Sequence, residues 1–204
     1  MIAVVDYGVG NLFSLRSSLE MVGAQSVVTS DAEVIRRADK IILPGVGAFR
    51  DAAEKLSASG LREVVISEAR AGKPILGICL GMQMLFERSY EYGVHEGLGL
   101  LRGEVVGMEG SIPTNLKIPH IGWNALSIKS SHPIFKYVKD GDFVYFVHSY
   151  YATGCDDSLL ATTDYGRELT AAVALGNITG AQFHPEKSGE VGLSILRAFA
   201  EWEV

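Results

Sequence analysis

No stretch of this 204-residue chain approaches the ~20 consecutive apolar residues that a membrane-spanning helix needs. The opening residues Met1 to Asp6 also lack a basic segment followed by a long apolar one. No membrane partner is expected. A cationic excess is missing too: 18 Lys and Arg stand against 24 Asp and Glu, a formal net charge of -6. That balance argues against nucleic acid or an anionic lipid surface as a partner. Cysteine occurs only as Cys79 and Cys155, too little for a disulfide-stapled scaffold, and a reducing cytoplasm is the compartment that fits. No repeat, low-complexity tract or Pro- and Ser-rich linker divides the chain. Neither a GxxxxGK[ST] loop nor a GxGxxG after the first strand-like run is present. The two cysteines lie far apart with no flanking histidine pair, so no zinc site is read, and no cofactor is expected.

What is present is enough apolar material, 48% of residues, to fill the core of one domain across residues 1–204. The first half alternates strand-like and helix-like segments. Ile2 to Val5 reads as a strand, Asn11 to about Val22 as a helix stopped by Gly23, and Gln25 to Thr29 as a second strand. A short helix over Ala32 to Ala38 and a strand over Lys40 to Leu43 follow. Then come helices over Ala48 to Lys55 and Leu61 to Ala71, a strand over Lys73 to Ile78, and a helix over Met82 to Arg88. The second half is richer in strands: Leu100 to Val106, Ala125 to Ile128, Phe143 to Tyr151, Leu159 to Thr163, Leu169 to Ala174 and Ile178 to Phe183. Ser188 to Trp202 closes as an amphipathic helix. The fold class expected is α/β: an open, mostly parallel central sheet with helices on both faces and antiparallel additions in the second half.

Chemistry concentrates in Gly77-Ile78-Cys79-Leu80-Gly81-Met82-Gln83. A cysteine between two glycines, after an apolar strand and before a helix, is how a nucleophile is mounted on a strand-to-helix elbow. The first turn of a helix also favours the thiolate through its dipole. Five histidines compete to be its base: His95, His120, His132, His148 and His184. His184 stands out in Gln182-Phe183-His184-Pro185-Glu186, because residues two apart on a strand share a face and Glu186 can then orient the imidazole. A strand-terminating turn with two exposed polar residues is the alternative. Acyl transfer also needs donors for a developing oxyanion. The Leu80 backbone N–H supplies one, and Pro44-Gly45-Val46-Gly47, after a parallel-type strand, can supply a second around Val46. That stretch also fits an ordinary glycine-rich turn.

GICLGMQ with a distant HPE resembles the triad (class I) glutamine amidotransferases. The resemblance narrows to the glutaminase subunits of imidazole glycerol phosphate synthase through Asp6 to Leu12, Pro44 to Phe49, Ile121 to Asn124, Tyr145 to Tyr150, Ala161 to Thr163 and Phe183 to Ser188. These stretches span nearly the whole chain in the family's order. The resemblance implies flavodoxin-like layering and hydrolysis of L-glutamine through a Cys79 glutamyl thioester. His184 would be base and acid, Glu186 its orienting carboxylate, and the Val46 and Leu80 amides the oxyanion donors. Gly47, Gln83, Glu96, His148, Ser149 and Tyr150 would contact the substrate. The family's Pro-Gly-Val-Gly strand is thought to need a peptide rearrangement before it donates.

The partner implied is a separate (β/α)8-barrel cyclase subunit in a heterodimer, which uses the ammonia to make imidazole glycerol phosphate and AICAR in histidine biosynthesis. Ammonia released to bulk water is protonated and diluted, so a docked acceptor is independently favoured. Gly10, Asn11 and Trp123 are the interface residues expected, with core packing the alternative for the tryptophan. A glutaminase serving another acceptor synthase, or a binding-only member of the fold, are the competing readings. Cys155 receives no role.

Overall fold

The computed structural model describes residues 1–203. The first half alternates as the apolar pattern demands: β1 (Ile2–Val5), α1 (Leu12–Met21), β2 (Ser26–Thr29), α2 (Ala32–Arg37), β3 (Lys40–Leu43), α3 (Phe49–Ala58), α4 (Leu61–Arg70), β4 (Ile75–Ile78) and α5 (Leu80–Met84). Helix ends follow local chemistry. The Asp31 carboxylate accepts from the Glu33 and Val34 N–H groups to cap α2, an interaction worth about 1 kcal/mol. Gly23, at φ 75°, lets the chain leave the end of α1.

The second half adds β5 (Arg88–Ser89), β6 (His95–Glu96), β7 (Glu104–Gly107), β8 (His120–Ala125), β9 (Ser127–Ile128), β10 (Phe143–His148), β11 (Tyr150–Thr153), β12 (Leu159–Asp164), β13 (Glu168–Leu175), β14 (Ile178–Ala181) and α6 (Gly189–Glu201). The central sheet runs β2-β1-β3-β4-β14-β13-β12-β9. Its strands from β2 to β14 are parallel, and β13, β12 and β9 extend it antiparallel. The expected α/β architecture is therefore the observed one. Side chains alternate across the parallel strands. Ala3, Val5, Ile41, Leu43 and Ile75 pack with Ile35, Leu56 and Val65 from α2, α3 and α4. Ile2, Val4, Ile42, Leu76 and Ile78 pack on the opposite face with Leu15 and Leu19 of α1 and Leu196 and Phe199 of α6. Burial on both faces is why these strands read as unbroken apolar runs. No helix among the described residues is long and apolar enough to cross a membrane.

Three expectations need correction, and each error has a tertiary cause. The helix expected over Met82 to Arg88 ends at Met84, and the chain turns into β5, which pairs with β6 and β7. The stretch Phe143 to Tyr151 is two strands in two sheets: β10 pairs with β8, whereas β11 pairs with β7. The break falls at Ser149, whose carbonyl accepts from the Met108 N–H at 2.9 Å. An apolar run does not show where a strand leaves one sheet for another. The strand expected over Ala125 to Ile128 is interrupted at Leu126, which turns into the core while its N–H bonds the Asp142 carbonyl at 2.9 Å.

Candidate active site

β4 and α5 meet at Cys79, which has φ 52° and ψ -109°. Apart from glycines, only Cys79 and Tyr92 have positive φ among the described residues. A side-chain-bearing residue held there stores roughly 1–3 kcal/mol of strain. The surrounding backbone imposes it: the Cys79 N–H donates to the Ala181 carbonyl at 2.7 Å, and the Gln83 N–H donates to the Cys79 carbonyl at 3.1 Å. The flanking glycines allow the elbow to close. A Cβ on Gly77 would lie 2.7 Å from the Gly81 carbonyl oxygen, and one on Gly81 would lie 1.9 Å from that of Leu43.

His184 arrives from the end of β14, the parallel neighbour of β4. It is 2% exposed, and its Nδ1 meets the Glu186 carboxylate at 2.8 Å. Pro185 to Lys187 form a single 3-10 turn, so the two side chains converge without an extended strand. Ser188 locks this turn: its hydroxyl donates to the His184 carbonyl at 2.7 Å and accepts from the Tyr145 N–H at 2.9 Å. Burial opposes charge on His184, yet hydrogen bonds and charge from Cys79 and Glu186 outweigh it and raise the imidazole pKa to about 9. The arrangement stabilises the imidazolium form of His184.

A pocket of about 410 Å³ opens over the elbow, lined by Val46, Gly47, Cys79, Leu80, Gln83, His148, Ser149, Tyr150 and His184. Nine of the residues singled out from sequence thus share one cavity, although they derive from four separate stretches of chain. Glu96 does not. It is exposed on β6 opposite Arg88 and borders grooves with Arg62 and Val94 outside this pocket. The carboxylate that lines the pocket is Glu91. Its Oε2 accepts from the Phe49 N–H at 2.5 Å, at the N-terminus of α3, where the helix dipole favours a negative charge. Only the fold brings Glu91 there, through the turn before β6.

Two further residues escaped the sequence reading. Gln182 is fully buried; its Nε2 points at the Cys79 sulfur at 3.6 Å, while its Oε1 accepts from Gln83 at 3.0 Å. Gln83 also donates to the Tyr150 carbonyl at 3.0 Å, so it braces the pocket wall. The Tyr7 hydroxyl donates to the Pro44 carbonyl at 2.7 Å, tying the end of β1 to the turn that carries Val46. Tyr7→Phe is expected to lower the turnover of this site roughly 3- to 10-fold with KM nearly constant, at a stability cost of about 1 kcal/mol. Steady-state kinetics with a thermal melt reads both, and an unchanged kcat would dismiss Tyr7 as a brace.

The remaining histidines have other surroundings. His132 accepts from the Ile134 N–H and sits edge-on to Trp202. His95 lies on β6, and His120 contacts His148 in the ribbon of β8 and β10. Trp123 is 52% exposed on the outer face of that ribbon, against the edge of Tyr145. Core packing is excluded for it. Ile121 and Phe143 are also exposed, and strand alternation and register place them on the same face. Gly10 and Asn11 lie at the start of α1, where Asn11 borders a small cavity with Pro44, Val46, His184 and Glu186. No group of three or more His, Cys, Asp or Glu able to hold a metal ion exists among the described residues.

The family model described as "Glutamine amidotransferase class-I" matches residues 3–201. The chain belongs to the class-I glutamine amidotransferases. Among curated relatives of this amidotransferase, imidazole glycerol phosphate synthase subunit HisH of Bacillus licheniformis is 50% identical over 205 residues, covering 99% of this chain and 96% of that protein. The subunit HisH of Lactococcus lactis is 51% identical over 201 residues, covering 98% of each. A crystal structure of a glutamine amidotransferase superposes with a TM-score of 0.74 at 17% identity, covering 95% of both chains; that likeness concerns the amidotransferase fold alone.

Proposed function

We propose that this amidotransferase is the glutaminase subunit of imidazole glycerol phosphate synthase, acting in histidine biosynthesis. It hydrolyses L-glutamine to glutamate and ammonia, and the ammonia passes to a cyclase subunit. The observation that carries the chemistry is a cysteine at φ 52° sharing a pocket with an imidazole whose far nitrogen is 2.8 Å from a buried carboxylate. The identity of about 50% over nearly the full length of HisH subunits supports the acceptor.

In this reading the Cys79 thiolate attacks the side-chain amide carbon of glutamine. The oxyanion is met by the Leu80 amide at the start of α5 and by the amide at Val46. His184, oriented by Glu186, delivers its proton to the departing nitrogen; ammonia leaves and the glutamyl thioester forms. Water, deprotonated by the same imidazole, then releases glutamate. Glu91 supplies negative charge for the substrate ammonium, taking the place assigned to Glu96. Gly47, Gln83, His148, Ser149 and Tyr150 line the substrate pocket. The partner is a (β/α)8-barrel cyclase, docked on the face carrying Gly10, Asn11 and Trp123; the exposed Ile121 and Phe143 give that face the apolar area of a binding surface. Residues 1–204 act as one amidotransferase domain, in the cytoplasm.

The decisive measurement is glutaminase rate with and without the cyclase subunit and its nucleotide ligand. Completing one oxyanion donor is worth roughly 10²- to 10³-fold, so a partner that turns the Val46 peptide should stimulate by about that factor. Equal rates with and without partner would overturn the coupled mechanism. Stimulation by the acceptor subunit of another synthase instead would reassign the pathway.

A further inference from the structure

Behind the pocket wall, β8 and β10 bring two buried histidines face to face: His120 is fully buried and His148 is 6% exposed. They are directly opposite in the strand register, with His120 Nδ1 3.2 Å from His148 Nε2. The outer nitrogens are also engaged. His148 Nδ1 lies 2.8 Å from the Tyr150 carbonyl oxygen, and His120 Nε2 lies 2.8 Å from Asn124 Oδ1. Both of those oxygens only accept, so each outer nitrogen must carry a hydrogen. The Asn124 amide is held in this orientation, because its Nδ2 donates to the Asp164 carbonyl at 3.0 Å. Turning it over would set oxygen against oxygen.

Two neutral imidazoles own two ring hydrogens, and both are committed to the outer contacts. Two lone pairs would then face each other at 3.2 Å. A third proton, taken from water, converts that repulsion into an N–H···N hydrogen bond and gives the pair one positive charge. We propose that His120 and His148 share this proton, and that His120 thereby acts as a positioning residue for glutamine binding, setting His148 and the Ser149–Tyr150 kink in the pocket wall. The inference rests on the glutamine reading of that pocket.

The charge has support on both faces of His120. Its ring is stacked between Tyr165, with centroids 4.0 Å apart, and Phe146, at 5.0 Å, and aromatic faces attract a cation. Burial works the other way: it lowers the pKa of His120, and together with the charges of His120 and His184 lowers that of His148 to about 3, against the hydrogen bond to Tyr150. The titratable neighbours are Cys79, Glu91, Tyr150, His184 and Lys187 around the pocket, with Tyr165 stacked on His120 and Asp164 beyond Asn124. The two rings titrate as a unit. Below the pair's apparent pKa the wall is locked; above it the central bond is lost and glutamine binding weakens.

The test uses the full chain in complex with its cyclase subunit, labelled with 15N-histidine. At pH values below the transition, three of the four ring nitrogens of this pair should be protonated, with a through-hydrogen-bond N–N coupling between the rings. The KM for glutamine should rise roughly 5- to 10-fold as that coupling disappears at higher pH, with kcat changing less than about twofold. Asn124→Asp places a carboxylate on His120 Nε2 and should move both transitions up by about one pH unit or more. Asn124→Leu removes the acceptor, so the His120 hydrogen can move to Nδ1 and make the central N–H···N bond without a third proton, and the low KM should then persist at every pH. Two protonated nitrogens throughout the folded range, or a KM profile unmoved by Asn124→Asp, would overturn the proposal. Absence of glutamine hydrolysis by the wild-type complex would instead overturn the glutaminase reading, while the nitrogen count still decides the shared proton.

Discussion

Cys79→Ala is expected to abolish glutamine-dependent synthesis by the assembled synthase while sparing synthesis driven by added ammonium salt. Loss of a covalent nucleophile costs roughly 10⁴-fold or more in turnover, because no neighbouring group can substitute for the attacking atom. The substitution is a clean one here. Alanine keeps the Cβ, so the backbone strain at φ 52° is the same in both proteins, and only the sulfur goes. The hydrogen bonds that hold the elbow come from the Cys79 backbone to Ala181 and Gln83 and survive the change. Two side chains lose a partner: Gln182, 3.6 Å from the sulfur, and His184, whose raised pKa depends on Cys79 as well as Glu186. The imidazole should therefore titrate lower in the variant, which histidine NMR would read. Parallel assays with glutamine and with ammonium salt separate the roles. Loss of both activities would mean that the cysteine serves folding or docking.

Gly81→Ala should disable the site by a different route. Its Cβ would lie 1.9 Å from the Leu43 carbonyl oxygen and 3.2 Å from the Pro44 carbonyl carbon. Backbone has nowhere to yield at the buried junction of β3 and α5, so the turn holding Val46 must separate from the elbow holding Cys79. Gly45 sits in the same close approach, its Cβ position 2.7 Å from the Gly81 nitrogen. A displacement of about 1 Å between nucleophile and oxyanion donors costs about 10²-fold in rate, on top of roughly 3 kcal/mol or more in stability from overpacking against main chain. Gly23→Ala is the comparison: Gly23 has φ +75° and nothing within 4 Å of its Cβ position, so it should cost about 1 kcal/mol through backbone conformation alone. Thermal melts of the two variants, with the rate at which a glutamine-like electrophile labels Cys79, measure the difference. Equal melts and wild-type labelling in Gly81→Ala would refute the coupling between elbow and turn.

These expectations draw unequally on sequence and structure. The elbow was legible because its parts are contiguous: strand, glycine, cysteine, glycine and helix follow one another, and the geometry they need is local. His184 and Glu186 were legible for the same reason, two residues apart at a strand end. Alternation of apolar segments announced a sheet covered on both faces, since parallel strands buried on both sides have no polar face to interrupt them.

Other features had no local signature. Glu91 enters the pocket and Glu96 leaves it because the chain turns sharply before β6, at a Tyr92 with φ 52°; five residues of spacing carried no hint of which carboxylate would face inward. The split of Phe143 to Tyr151 between two sheets depends on which strand each half pairs with. Gln182, Tyr7 and the His120–His148 pair act through partners tens of residues away. Sequence alone determined that this chain mounts a cysteine on an elbow and sets a carboxylate two residues from a histidine at a strand end, because contiguous residues dictate those local geometries. The pairing of β14 with β4 brings the two together. Only the tertiary structure decided which carbonyl crowds Gly81, which glutamate lines the pocket and how many protons two buried imidazoles must share. Those are matters of register and close packing, which arise between segments and are written in neither of them.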